Sequence, residues 1–388
     1  MVVPDDVQVL RFPLCFFPLV FFYTFLFNTM SRTNNTGPLR CFIGTYTDQT
    51  SRGIYTCRFH TEDGRLETPT LAAECNNPTF LALHPSMPHL YAIGKFPAGM
   101  LRAFRYDKQS GSLALLNEQE IPGHGPCHLA FCPSEDGLTG AVVVANYGSG
   151  CAASFPIFDD GKIGAVASHI THSGSGPNPV RQQNPHVHGI YPDGSTVMVV
   201  DLGIDRIVHY CLDFTSARLS PSTDHTDLRL TPGAGPRHLV VSKDQRFVYV
   251  VNELDSTVSV FERHVPDALQ SISTLPPGKE PAVMNNTASE IALHPNGKFL
   301  YVSNRGDDSL AVFALNAGKP ALIQTISSGG KTPRFFCLDP TGRFLLACNQ
   351  DSENVCVFNV EQETGMVTSA GHSINVSKPA CLVFAPEG

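Results

Sequence analysis

The chain has 388 residues, of which 16% are charged, with a formal net charge of −8 and with 32 glycines and 30 prolines. That balance offers no basic face of the kind nucleic-acid binding needs. So many turn-forming residues among short apolar runs predict a chain of short strands and tight turns.

The first segment to stand out is residues 12–27 (FPLCFFPLVFFYTFLF). Its 16 uncharged residues fall short of the ~20 that a spanning helix needs. It carries Pro13 and Pro18, and Asp5 and Asp6 stand where a secretory signal has basic residues. The expectation is that the working protein starts at Met30, that residues 1–37 are an extension outside the fold, and that the protein is cytoplasmic. Secretion or membrane anchoring is the alternative if residues 1–29 are genuine, and no stable membrane partner is expected. The twelve cysteines are scattered singly, without a Cys-x-x-Cys pair. They read as small buried apolar residues in a reducing compartment.

From residue 38 onward one pattern repeats. Residues 41–59 (CFIGTYTDQTSRGIYTCRF) read as strand, turn, strand, and residues 291–313 (IALHPNGKFLYVSNRGDDSLAVF) show the fuller unit of three apolar runs. Aligned on Pro295, residues 239–261 match without a gap, with Lys243 in the proline's place, and residues 336–358 match with Pro340. Pro85, Pro133, Pro192 and Pro386 mark the other copies, at spacings of 48, 59, 51, 52, 45 and 46 residues. A sheet-forming unit of this period predicts a β-propeller, and the absence of tryptophan excludes the class signed by a Trp-Asp pair in each blade. The last copy stops after its first strand and the first copy lacks one, so the two termini complete a single blade and leave no open edge. The expected fold is all-β: a seven-bladed propeller of four-stranded antiparallel blades spanning residues 38–388.

In such a blade the residues just before strand A and just after strand B meet at one mouth of the channel. Seven positions before each anchor stand Pro78, Pro126, Pro185, Pro236, Ala288, Pro333 and Pro379, and proline suits a strand's first position. The residues that follow include Cys127, His186, Arg237, Ser289 and Arg334, with His188 two beyond His186 on the same side of its strand. After strand B come Gly94-Lys95, Asn146-Tyr147, Asp201-Leu202, Asn252-Glu253, Asn304-Arg305 and Asn349-Gln350. The asparagines suit turns, where they bond their own backbone. The residue after each varies from blade to blade, and a varied position on a constant scaffold is available to a ligand. One mouth therefore gathers His186, His188, Arg237, Glu253, Arg305 and Arg334, with His128, His238 and Lys95 near. Arginines brought together in an acidic protein imply an anion to share, and a histidine beside them can move a proton near neutral pH. The pocket so read takes a small anionic substrate and uses histidine as general base.

Each residue also has a plainer reading. Arg237 and Arg305 could pair with Glu253 and Asp307 as ordinary salt bridges between blades. Alternation points His128 and His238 to the other side of their strands from Cys127 and Arg237, where histidines usually pack. The pair His186 and His188 lacks a clear third ligand for a metal, and no zinc motif, glycine-rich phosphate loop or catalytic cysteine signature is present.

The segments FIGTYTDQTSRGIY, NPHVHGIYPDG, GAGPRHLVVSKDQRFVYVVNELDSTVSVF and HPNGKFLYVSNRGDDSLAVF resemble the seven-bladed propeller lactonases, a family that holds 6-phosphogluconolactonases and a carboxy-muconate cyclising enzyme. The resemblance implies hydrolysis of a small anionic sugar lactone, 6-phosphogluconolactone first, without a cofactor or metal. Its catalytic residues fall on His186 or His188, Arg237, Glu253 and Arg305. The substrate-binding set comprises Arg237, Arg305, Arg334, His128, Asn252 and Asn304. Glu253 would orient the histidine or the water. Cyclisation of a carboxylated muconate is the alternative, followed by a non-catalytic binding module. Cys127 departs from a charged mouth, and the stretch SGSGPNPVRQQ around Gly174 is longer than the repeat requires.

Overall fold

The computed structural model describes residues 37–47, 50–94, 99–281 and 285–386. The apolar segment 12–27, the start at Met30 and Lys95 lie outside the described residues. Within them the chain forms seven antiparallel sheets. The sheets stack face to face around a ring, which explains the near-continuous apolar runs in the middle strands. Strand B of blade 5 (Phe247–Asn252) and of blade 7 (Phe344–Asn349) is buried almost throughout, because neighbouring blades cover both faces. The outermost strands, such as Ser168–Thr171 and Gln270–Ser273, alternate between half-buried and exposed. The core accordingly lies between blades. Tyr249 and Val251 of blade 5, for example, pack in one cluster with Ala288, Leu300 and Val302 of blade 6.

The seven A strands are Pro379–Phe384, Pro78–Leu83, Pro126–Pro133, Val187–Asp193, Pro236–Val241, Thr287–Leu293 and Pro333–Leu338, for blades 1 to 7. Each contacts the next, and the seventh returns to the first. Blade 1 is closed by both termini: Pro379–Phe384 pairs with Leu39–Thr45 in the register Cys41↔Phe384 and Ile43↔Leu382. Blade 4 departs from the expected four strands, since Leu228–Arg229 adds a fifth beside Arg206–Asp213.

The pairing register slips near the start of every A strand. The extra residues are Thr79, Cys127, His188, Arg237, Ser289 with Glu290, Arg334 and Ala380. Strict alternation fails at a bulge, which re-aims side chains. The expected opposition of Arg237 and His238 is therefore corrected: Arg237 Nη1 lies 3.2 Å from His238 Nδ1. A second correction concerns blade 4. Its A–B hairpin closes at Asp193↔Thr196, enclosing two residues, whereas that of blade 5 closes where the Ser242 amide donates to Phe247 O, enclosing four. The tighter turn moves strand A by two residues, so Val187 pairs with Asp201 as Pro236 pairs with Asn252. His188, not His186, is thus the counterpart of Arg237.

Adjacent blades are stapled by tyrosines on strand B. Tyr91, Tyr249 and Tyr301 donate to the carbonyls of Gly161, Gly318 and Gly365, at 3.2, 3.0 and 3.0 Å. Gly365 has φ +71°, and a Cβ there would collide with the Phe299 ring. Gly365→Ala combines left-handed strain with overpacking and is expected to cost about 2–4 kcal/mol, whereas Tyr301→Phe costs about 1 kcal/mol. Denaturant unfolding checks both values.

Candidate active site

Glu253 follows strand B of blade 5, with its amide donating to Gly235 O at 2.7 Å. Its carboxylate, 5% exposed, meets three guanidiniums: Arg181 Nη2 at 2.6 Å, Arg305 Nη2 at 2.8 Å and Arg237 Nε at 3.2 Å. Arg237 is the bulged residue of blade 5, and Arg305 ends strand B of blade 6 (Phe299–Arg305). Burial opposes ionisation of Glu253, but Arg305, Arg237 and Arg181 outweigh it and hold the carboxyl far below the usual carboxylate range. Burial, with Arg305 and Arg334 close by, brings Arg237 down to about 10, so the group stays charged at neutral pH. Arg237 Nη1 also donates to Ser289 O at 2.7 Å, and Arg305 Nη2 donates to Ala288 O at 3.2 Å. Arg334 is half-buried, over the Tyr46 ring at 5.6 Å.

Beside the arginines lies a group of buried histidines. The His188 and His238 rings are 5.1 Å apart, and those of His128 and His238 are 5.0 Å apart. Glu290 Oε1 lies 3.0 Å from His238 Nδ1. His128 Nδ1 accepts the Ile190 amide at 3.3 Å, while His188 Nδ1 has no hydrogen-bond partner among the described residues. Burial, then Arg237, His238 and Arg334, pushes His188 well below the usual imidazole value. Burial also lowers His128 and His238 and raises Glu290 to about 7 against the pull of Arg237. The three imidazoles are thus neutral near pH 7, and burial together with the nearby arginines opposes their charging.

Not every expected residue joins this centre. His186 stacks on Tyr147, with ring centroids 4.3 Å apart, and its Nδ1 lies 2.8 Å from Tyr147 O. Asn252 spends its amide on Thr257 and Ser259, both at 2.8 Å, and Asn304 is tied to Thr274 and Ser309. Both asparagines are fully buried within the turns they hold together. Arg181 and Glu290 were missing from the expected set, and Tyr147, read as a varied mouth position, was not placed in the group that converges. Arg181 sits in the stretch that makes the Pro133–Pro192 spacing the longest, and that excess length was its one signal in the sequence. Open cavities of about 520 and 500 Å³ lie elsewhere, the first lined by His172, Arg206, Tyr210 and Arg229 and the second by Lys279 and Asp307 among others. The centre is therefore defined by converging charge, not by the size of a hollow.

The stability of this centre depends on pH in a calculable direction. A carboxyl depressed in the folded state stabilises above its unfolded value, near 4.5, and that stabilisation is lost as pH falls through the folded value. Glu253→Gln strands three cations and is expected to cost about 3–5 kcal/mol at pH 7. Chemical denaturation of both proteins between pH 7 and pH 3 should show the gap narrowing below about pH 5.

Comparison with known proteins gives a consistent picture. A family model described as lactonase, 7-bladed beta-propeller matches residues 40–384. A 6-phosphogluconolactonase of Bacillus subtilis is 37% identical over 353 residues, covering 88% of this chain and 97% of that protein. The solved periplasmic gluconolactonase of Pseudomonas aeruginosa is 30% identical with a TM-score of 0.82, covering 90% of this chain and 99% of that one. A solved protein from Lactobacillus plantarum is 32% identical with a TM-score of 0.82, covering 90% of this chain and all of that one.

Proposed function

The chain belongs to the lactonase family of seven-bladed β-propellers, and from that premise we propose that it hydrolyses 6-phosphogluconolactone to 6-phosphogluconate. The observation that carries the proposal is the meeting of four guanidiniums, from Arg181, Arg237, Arg305 and Arg334, with a buried neutral imidazole, that of His188. Only Glu253 among the neighbouring carboxyls is firmly ionised, since Glu290 is raised to about 7. A net positive centre within a chain of charge −8 suits an anionic substrate.

In this reading Arg237 and Arg305 hold the anionic group or the developing oxyanion, where fixed donors have most effect. His188 takes a proton from water as the water oxygen attacks the lactone carbonyl. The ring carbon–oxygen bond then breaks, and the same proton passes from His188 to the departing alkoxide. Glu253 sets the positions of the arginines and keeps them from repelling one another. Cyclisation of a carboxylated muconate is disfavoured, because it asks histidine to arrive protonated, and burial beside Arg237 and Arg334 opposes that charge.

Acid release from 6-phosphogluconolactone, followed against the spontaneous rate and beside a carboxylated muconate, tests the reading. No turnover of either compound would leave a binding module. His188→Gln is expected to lower kcat by roughly 10²–10⁴-fold, while His186→Gln stays within about tenfold of wild type. The reverse order would move the base to His186. Arg305→Ala is expected to lose most activity with the fold intact, as circular dichroism would show.

A further inference from the structure

Residues 172–186, between Ser168–Thr171 and Val187–Asp193, form the longest connection between blades. The loop is held from within. Buried Gln182 donates through Nε2 to Leu202 O at 2.9 Å, and its Oε1 accepts the Asn178 amide at 3.1 Å. Asn178 Oδ1 in turn accepts the amides of Val180 and Arg181, at 3.1 and 3.0 Å. This fixed turn aims Arg181 at Glu253 from outside the sheets.

The three guanidiniums on Glu253 differ in reach. The Arg237 side chain is 3% exposed, that of Arg305 15% and that of Arg181 36%. Arg237 and Arg305 are also bound to main-chain carbonyls. Arg181 spends Nε and Nη2 on Tyr147 Oη and Nη2 on Glu253, and its Nη1 makes no hydrogen bond among the described residues. It therefore keeps an open donor edge toward solvent while its inner edge stays anchored. A phosphate monoester brings a charge of roughly −1.5 to −2 at pH 7, whereas the same sugar lactone without phosphate brings none.

Resting on the lactonase reading, we infer that Arg181 is the specificity-determining residue of this site, gripping the phosphate of a phosphorylated sugar lactone through Nη1. Arg237 and Arg305, deeper and already fixed, serve the lactone carbonyl. A guanidinium anchored on one edge loses little freedom when the other edge binds, which is what makes it selective rather than merely attractive.

The test compares wild type with Arg181→Gln and Arg181→Lys on 6-phosphogluconolactone and on unphosphorylated glucono-δ-lactone. Wild-type turnover above the spontaneous rate tests the lactonase reading separately. Arg181→Gln is expected to raise KM for the phosphorylated lactone about 10- to 100-fold, the range of a hydrogen bond to a charged group, with kcat within about threefold. Its kcat/KM on glucono-δ-lactone is expected to fall at least about tenfold less than that on the phosphorylated lactone, and Arg181→Lys, which keeps the charge but not the anchored fork, to recover only part of the loss. Equal losses on both lactones would make Arg181 a prop for Glu253, and no loss on either would make it a surface residue; each outcome overturns the inference. If wild type turns over neither lactone, calorimetric binding of 6-phosphogluconate decides: weaker binding to Arg181→Gln supports the phosphate grip, and equal affinity overturns it.

Discussion

A buried carboxylate shared by three guanidiniums is the constraint on which the rest of the site depends. Glu253 joins blade 5 to blade 6 through Arg305 and to the 172–186 loop through Arg181, while Arg237 approaches from the bulge of its own blade. A carboxylate alone in that position would be driven to its neutral form, and the arginines without it would repel each other. Together they are stable, and positive charge remains in excess because three guanidiniums share a single carboxylate. The excess is what an anionic ligand can use.

Sevenfold repetition supplies a scaffold on which individual positions differ. The same bulge recurs in each blade, yet the extra residue is Thr79, Cys127, His188, Arg237, Ser289 with Glu290, Arg334 or Ala380. At the end of strand B, Asn252, Asn304 and Asn349 donate across their own turns to Thr257, Ser309 and Asn354. Asp201 replaces the asparagine in blade 4 and cannot donate. It accepts the amides of His186 and Gly203, and His172 Nδ1 fills the remaining place at 2.7 Å. Blade 4 thus keeps the turn by other means and leaves His188 for the centre.

Burial sets the protonation of that centre. The imidazoles of His128, His188 and His238 stand among arginines in a nearly dry interior, so both desolvation and like charge favour their neutral form. A neutral base beside fixed cations suits the attack of water on a carbonyl, where negative charge develops and positive charge is already in place.

Local pattern sufficed for much of this. Alternating apolar runs and turns at a period near fifty residues determined the strands, the seven blades and the closure of Leu39–Thr45 on Pro379–Phe384, because each unit must bury its faces against the next. The same register also pointed to Arg237, Glu253, Arg305 and Arg334. It did not reveal that the hairpin of blade 4 is two residues tighter, which decides between His186 and His188, nor that a bulge places Arg237 and His238 side by side. Arg181 was beyond reach for a similar reason. It lies in an irregular loop with no period to read, and its partner Glu253 is 72 residues away. Only the closed ring, which brings that loop against blade 5, decided that the two would meet.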